Sequence, residues 1–79
     1  MARILDFREL ERAVRMAVRY LGHKGVIIRD WHIERTLGGG DMLWLVHSDG
    51  LIQSVSLIRD NVNRTAAYII EMALKAQHQ

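Results

Sequence analysis

The sequence predicts an α+β domain with the element order α-β-β-β-α, and three observations lead to that prediction. Two segments with apolar residues at three- and four-residue spacing flank a central region whose apolar period is two. Two glycine-containing turn signals, at positions 38–40 and at Asp49-Gly50, divide the central region into three strands. A length of 79 residues fits one domain, so we assign residues 1–79 to a single unit.

The first helix is predicted to begin at Asp6. The Asp6 carboxylate can accept from the amide of Glu9, and the Glu9 side chain can reach back in the reciprocal arrangement of a capping box. Gly22 is predicted to end the helix in the left-handed conformation. The apolar residues between these ends form one stripe, and they are Phe7, Leu10, Val14, Ala17, Val18 and Leu21.

The central region predicts an antiparallel meander. Residues 26–37 are rich in β-branched and aromatic side chains and predict a long strand. A two-residue turn at Asp49-Gly50 would pair Ser48 with Leu51 and therefore fix the register of the second and third strands. The core face in that register contains Met42, Trp44, Val46, Val55 and Leu57. The opposite face contains Leu43, Leu45, His47, Ile52, Ser54 and Ser56.

The second helix is predicted to begin after Asp60 or Asn61, because either side chain can cap it. Its apolar positions again have helical spacing, and they are Val62, Ala66, Ile69, Ile70, Ala73 and Leu74. One sheet face can cover both apolar helix stripes, so we expect both helices to pack on the same face of the meander. The other face is then open.

Composition and motifs argue against an enzyme. The chain has no cysteine, and no apolar run reaches the length of a signal peptide core or a membrane span, so a cytoplasmic protein without membrane contact is expected. His32 and His47 could approach Asp30 and Glu34, but no close histidine pair supports a zinc site. No nucleophile or phosphate-loop motif is present. We therefore predict no catalytic residue, no metal ligand and no cofactor.

Four arginines of the first helix form the first candidate contact surface. Positions 8, 12, 15 and 19 fall within roughly 60° of one another on a helical wheel, on the side away from the apolar stripe. One interpretation is a solvated face in which Glu11 pairs with Arg8 and Arg15. The other is a row, about 16 Å long, that binds phosphates or carboxylates through planar guanidinium groups. The candidate residues are Arg8, Arg12, Arg15 and Arg19.

The open sheet face is the second candidate contact surface. Leu43, Leu45 and Ile52 lie on it in the predicted register, and a patch of that kind on a monomer usually has a partner. The N-terminal Ile4-Leu5 segment, a homodimer or another protein are the alternatives for what covers it.

The element order, together with NVNRTAAYIIEMALK at residues 61–75, resembles a double-stranded-RNA-binding domain. That family grips phosphates with a lysine-rich cluster at the start of its last helix. The corresponding stretch here is Asp60-Asn61-Val62-Asn63-Arg64, so only Arg64 can be carried over as an RNA contact.

The chain from MARILDFREL to LKAQHQ also resembles the small, cysteine-free, single-domain inhibitors that phages make, in particular the anti-CRISPR proteins of type I systems. This resemblance implies a stoichiometric inhibitor in the bacterial cytoplasm that docks on a CRISPR surveillance complex and blocks its DNA binding. Our leading expectation is therefore a non-enzymatic protein-binding module, steered by the four arginines and anchored by Leu43, Leu45 and Ile52. The alternative is a nucleic-acid-binding domain in which the same arginines contact phosphates.

Overall fold

A computed structural model describes residues 6–35, 40–57 and 61–78, and it confirms the α-β-β-β-α order. The three strands form one antiparallel sheet in the order β1-β2-β3. The elements are α1 (Phe7–His23), β1 (Ile28–Arg35), β2 (Asp41–His47), β3 (Ile52–Leu57) and α2 (Val62–Gln77). The predicted first strand was longer; residues 26 and 27 precede β1, and residues 36–39 lie outside the described ranges.

Helix α1 begins as predicted and ends later than predicted. The Asp6 carboxylate accepts from the Glu9 amide at 2.8 Å, and the capping box is complete. Gly22 lies inside the helix, and the left-handed glycine is Gly25, with a φ of 84°. The amide of Gly25 donates to Gly22 and that of Val26 donates to Leu21, which is the pattern of a Schellman cap. Gly25 was the second glycine available for this cap.

The β2–β3 hairpin has a three-residue loop, so the predicted two-residue turn is wrong. The His47 amide donates to the Leu51 carbonyl at 2.8 Å, and the Gly50 amide donates to the His47 carbonyl at 3.0 Å. Gly50 has a φ of 96°, whereas Asp49 does not have the positive φ that a type I′ turn would need. The Asp49 carboxylate instead accepts from the Leu51 amide at 3.0 Å. This bond holds the pKa of Asp49 below its ordinary value.

The longer loop shifts the register of β2 against β3 by one residue, so the side chains of β2 lie on the opposite faces from those predicted. Leu43 lies opposite Val55, and Leu45 lies opposite Gln53. Leu43 and Leu45 are fully buried, so their predicted exposure is wrong. Met42, Trp44 and Val46 are on the outer face, so their assignment to the core face is wrong as well.

His47 is 1% exposed on the core face, so its assignment to the open face is wrong for the same reason. The face assignments of β3 agree with the structure. Val55 and Leu57 are buried, as predicted, and Ile52 is 64% exposed on the outer face. Trp31 packs against the core, whereas Trp44 is 37% exposed.

Both helices pack on the same face of the sheet, as expected. Asn61 caps α2 by accepting from the Arg64 amide at 2.8 Å, so Asn61 rather than Asp60 is the cap. The core joins residues from all five elements, namely Leu10, Ala13, Val14, Ala17, Leu21, Ile28, Ile33, Leu43, Leu45, Val55, Leu57, Ala66, Ile69 and Ala73. This arrangement leaves the opposite side of α1 and the outer sheet face toward solvent.

Candidate functional site

The arginines of α1 share one exposed side of the helix, which we call the arginine face: Arg8, Arg12, Arg15 and Arg19. All four are exposed. The buried residues of α1 lie on the other side, so packing of the helix on the sheet directs the arginines outward. The predicted exposure of this row is confirmed.

Pairing with Glu11 accounts for only one of the four arginines. Arg15 lies 3.8 Å from the Glu11 carboxylate, and its guanidinium lies 5.9 Å from the centre of the Trp31 ring. In the part of the chain that the structure describes, Arg8, Arg12 and Arg19 make no ion pair, so the proposed Glu11–Arg8 pair does not form. An exposed pair such as Arg15–Glu11 contributes about 0 to 1 kcal/mol. Local stabilisation of the helix therefore does not explain the row.

A shallow groove of ≈ 460 Å³ runs along the arginine face. Its floor includes two exposed, largely apolar side chains, Met16 at 41% and Tyr20 at 45%. The residues that line it are Arg12, Arg15, Met16, Arg19, Tyr20 and His23. Cations thus lie beside an apolar strip, and no carboxylate is among the described residues that line the groove.

A second groove, of ≈ 530 Å³, connects the arginine face to the first turn of α2. Arg12 and Met16 line both grooves, so the two form one continuous surface. The second groove is also lined by Asn61, Val62, Asn63 and Arg64. The N-terminus of α2 carries the partial positive charge of the helix dipole, which adds to the charge of two arginines. We call this continuous surface, from Arg19 through Arg12 to Arg64, the basic surface.

The sequence alone does not place Arg64 beside the arginine face. The resemblance to double-stranded-RNA-binding domains identifies Arg64 as a candidate RNA contact, at a position where that family has a lysine cluster. Arg64 lies next to Arg12 because α1 packs against α2, although the two arginines are more than 40 residues apart in the chain.

His47 has a structural role in the core. It is 1% exposed, and each ring nitrogen lies 2.9 Å from a glutamine side chain: Nε2 donates to Gln53, and Nδ1 accepts from Gln77 in the tautomer that satisfies both. The Gln53 amide in turn donates to the Met72 carbonyl at 2.9 Å. His32 lies on the other face of the sheet, so the two histidines do not converge. Among the described residues, no group of three or more metal-ligating side chains is placed to hold an ion.

Two of the three predicted anchor residues are absent from the outer sheet face. Of the three residues proposed there, only Ile52 is exposed, because Leu43 and Leu45 are under the helices. Ile4 and Leu5, one alternative for covering this face, lie outside the described residues.

Comparison of the chain with known protein families, with curated proteins and with solved structures finds no match.

Within residues 6–35, 40–57 and 61–78, no helix has the length and apolar character that crossing a bilayer demands.

Proposed function

We propose that this protein is a non-enzymatic nucleic-acid-binding domain whose basic surface contacts backbone phosphates. The observation that carries the proposal is the continuity of the two grooves, which joins Arg12, Arg15 and Arg19 of α1 to Arg64 and the N-terminus of α2. Arg8 extends the row one turn beyond the grooves. Among the described residues, neither groove is lined by a carboxylate, so this part of the surface favours an anion. A nucleic-acid partner is consistent with a cytoplasmic protein.

Guanidinium groups and phosphates match in geometry as well as charge. A guanidinium donates two parallel hydrogen bonds to one phosphate, and it remains charged at every physiological pH. Arg8 and Arg19 are eleven residues apart, about 16 Å along the helix, which corresponds to about five base steps at roughly 3.4 Å each. The row can therefore contact several consecutive phosphates at once.

Arg64 and the start of α2 extend the contact beyond a single helix. Amides at a helix N-terminus and a neighbouring arginine act together on one anion. The proposal assigns phosphate contacts to Arg8, Arg12, Arg15, Arg19 and Arg64, and it assigns no base-specific contact.

Gel-shift and anisotropy measurements test the proposal with duplex RNA, duplex DNA and single strands of each. We expect binding at low salt, a loss of affinity in Arg12→Gln and Arg19→Gln, and little change in Lys75→Gln. Lys75 is a suitable control because it is an exposed cation at the far end of α2, where it pairs with Glu71 at 3.2 Å. An absence of binding to all four nucleic acids at low salt contradicts the proposal, as does an equal loss in the Lys75 variant.

A second candidate is the protein-docking inhibitor that the resemblance to type I anti-CRISPR proteins implies. Exposed Met16 and Tyr20 beside the arginines favour it, because methionine, tyrosine and arginine are enriched in protein interfaces. The docking anchors would be Met16 and Tyr20 rather than Leu43 and Leu45, which are buried.

A pull-down with a purified type I surveillance complex tests this candidate. If the protein docks on the complex, the complex should retain the unmodified protein and should not retain Tyr20→Ser. Phosphate binding predicts that Tyr20→Ser keeps most of its affinity for nucleic acid, because the arginines remain. No retention of the unmodified protein by the complex contradicts the docking role.

A further inference from the structure

The two edges of the sheet differ in how they are protected from pairing with another strand. Strand β1 has a register irregularity between Ile28 and Asp30, and it carries four charged side chains: Arg29, Asp30, Glu34 and Arg35. Bulges and charges are the usual devices that prevent an edge strand from pairing with another chain. Strand β3, with the sequence IQSVSL, has no charge, no proline and an uninterrupted register. The β3 edge therefore lacks the protection that the β1 edge has.

The register shows which backbone groups of β3 point away from the sheet. His47 and Leu51 form a hydrogen-bonded pair, and such pairs alternate along an antiparallel ladder. Residues 53, 55 and 57 consequently bond to β2. Ile52, Ser54 and Ser56 direct their N–H and C=O groups outward, and all three residues are exposed.

We propose that two copies of the protein associate by antiparallel pairing of their β3 strands, about a two-fold axis at Ser54. Ser54 would then face its own copy, and Ile52 would face Ser56 in both directions. Each of these three pairs would exchange two hydrogen bonds, since all the groups involved point outward. The product is a continuous six-stranded sheet with all helices on one face.

Several features favour a second copy as the occupant of this edge. Ile52 and Ser56 lie two positions on either side of Ser54, so a two-fold axis at Ser54 gives every outward N–H and C=O group of the strand a partner, as a self-complementary interface requires. No like charges meet, and the small Ser54 side chain on the axis allows close approach. Pairing also covers part of Ile52, which is 64% exposed in the single chain.

This pairing is independent of the proposed nucleic-acid contact. Helix α1 packs against β1 at the opposite edge of the sheet, and α2 packs against β3. The arginine face lies on α1, so it stays open in the dimer. Failure of one proposal therefore leaves the other intact.

Cysteine cross-linking tests the pairing and its register. The chain has no cysteine of its own, so a single introduced thiol reports on one position. In the proposed dimer the two Cα atoms of Ser54→Cys would be about 5.5 Å apart, within the range of a disulfide. Those of Ser56→Cys would be roughly 14 Å apart, since four residues separate position 56 from its counterpart along the partner strand. Under mild oxidation we expect a covalent dimer from Ser54→Cys and little from Ser56→Cys; equal yields, or none from Ser54→Cys, overturn the proposal.

Measurement of mass in solution provides the second test. Light scattering behind size exclusion should give twice the chain mass of 9.1 kDa for the unmodified protein. Ser54→Lys places two like charges opposite each other and should reduce the mass to that of one chain. His32→Lys is the matched control, because His32 lies in the same cross-strand row on the protected β1 edge. A single-chain mass for the unmodified protein throughout a dilution series contradicts the proposal, and so does a dimeric mass for Ser54→Lys. Circular dichroism serves as the control that each variant is folded.

Discussion

Replacement of Leu45 by alanine tests the hairpin register on which the core depends. Leu45 is fully buried in the middle of β2, opposite Trp31 and Gln53. A buried leucine replaced by alanine destabilises a protein by about 2 to 5 kcal/mol, because apolar contacts are lost and a cavity remains. We expect a loss of about 3 kcal/mol, from a total free energy of unfolding of roughly 4 to 12 kcal/mol for a chain of this length. At about 4 to 8 °C per kcal/mol, the melting temperature should fall by roughly 12 to 24 °C.

Met42→Ala is the matched control, since methionine and leucine lose a similar number of atoms and Met42 is only partly buried on the outer face. We expect its cost to be about 1 kcal/mol, because much of the side chain is already in contact with water. Urea unfolding followed by tryptophan fluorescence measures both values. A larger loss in Met42→Ala than in Leu45→Ala would refute the three-residue loop and restore the register with a two-residue turn.

Three further outcomes are expected around the same hairpin, each measured by urea unfolding. Gly50→Ala should cost about 1 to 2 kcal/mol, because the φ of Gly50 is 96° and a side chain is strained there; an unchanged midpoint would contradict this. The pKa of Asp49 is lowered by the Leu51 amide, so its contribution is present above the ordinary value of 3.8 and is lost as pH falls through the lower folded value. Asp49→Asn should therefore differ most from the unmodified protein above pH 3.8, and a difference that grows in acid would oppose this reasoning. His47→Phe should cost about 1 to 3 kcal/mol in total, because two half-buried glutamine side chains each lose a hydrogen-bond partner; a variant as stable as the original would show that these two hydrogen bonds are dispensable.

The helices could be predicted because their signals are local. The capping box of Asp6 and Glu9 lies within one turn, and the apolar stripe of α1 repeats at the helical period for four turns. Local hydrogen bonds and periodicity are both fully present in the sequence. The end of α1 was missed because two glycines, Gly22 and Gly25, could each supply the left-handed cap, and only the Schellman hydrogen bonds distinguish them.

The face of β2 could not be predicted from its own sequence. MLWLV is apolar at every position, so alternation does not distinguish the core face from the outer face. The assignment then depended on the turn, and Asp49-Gly50 occurs in both two-residue and three-residue loops. A change of one residue in loop length reversed the predicted positions of Leu43 and Trp44. Strand β3 was less affected, because its serines alternate with apolar residues.

The basic surface was predictable in part. The exposure of the arginine face follows from the helical period alone, and the structure confirms it. The contribution of Arg64 depends on how α1 and α2 pack, which no local pattern contains.

The salt dependence of nucleic-acid binding tests the central proposal most directly. Contacts with phosphates release counterions, so the logarithm of the association constant falls with the logarithm of salt concentration, by about 0.9 for each phosphate neutralised on duplex DNA. We predict that Arg12→Gln reduces the steepness of this slope by about 0.9, the contribution of one phosphate, while Lys75→Gln leaves the slope unchanged. A slope that is the same in the unmodified protein and in Arg12→Gln would contradict the assignment of the basic surface as the phosphate contact.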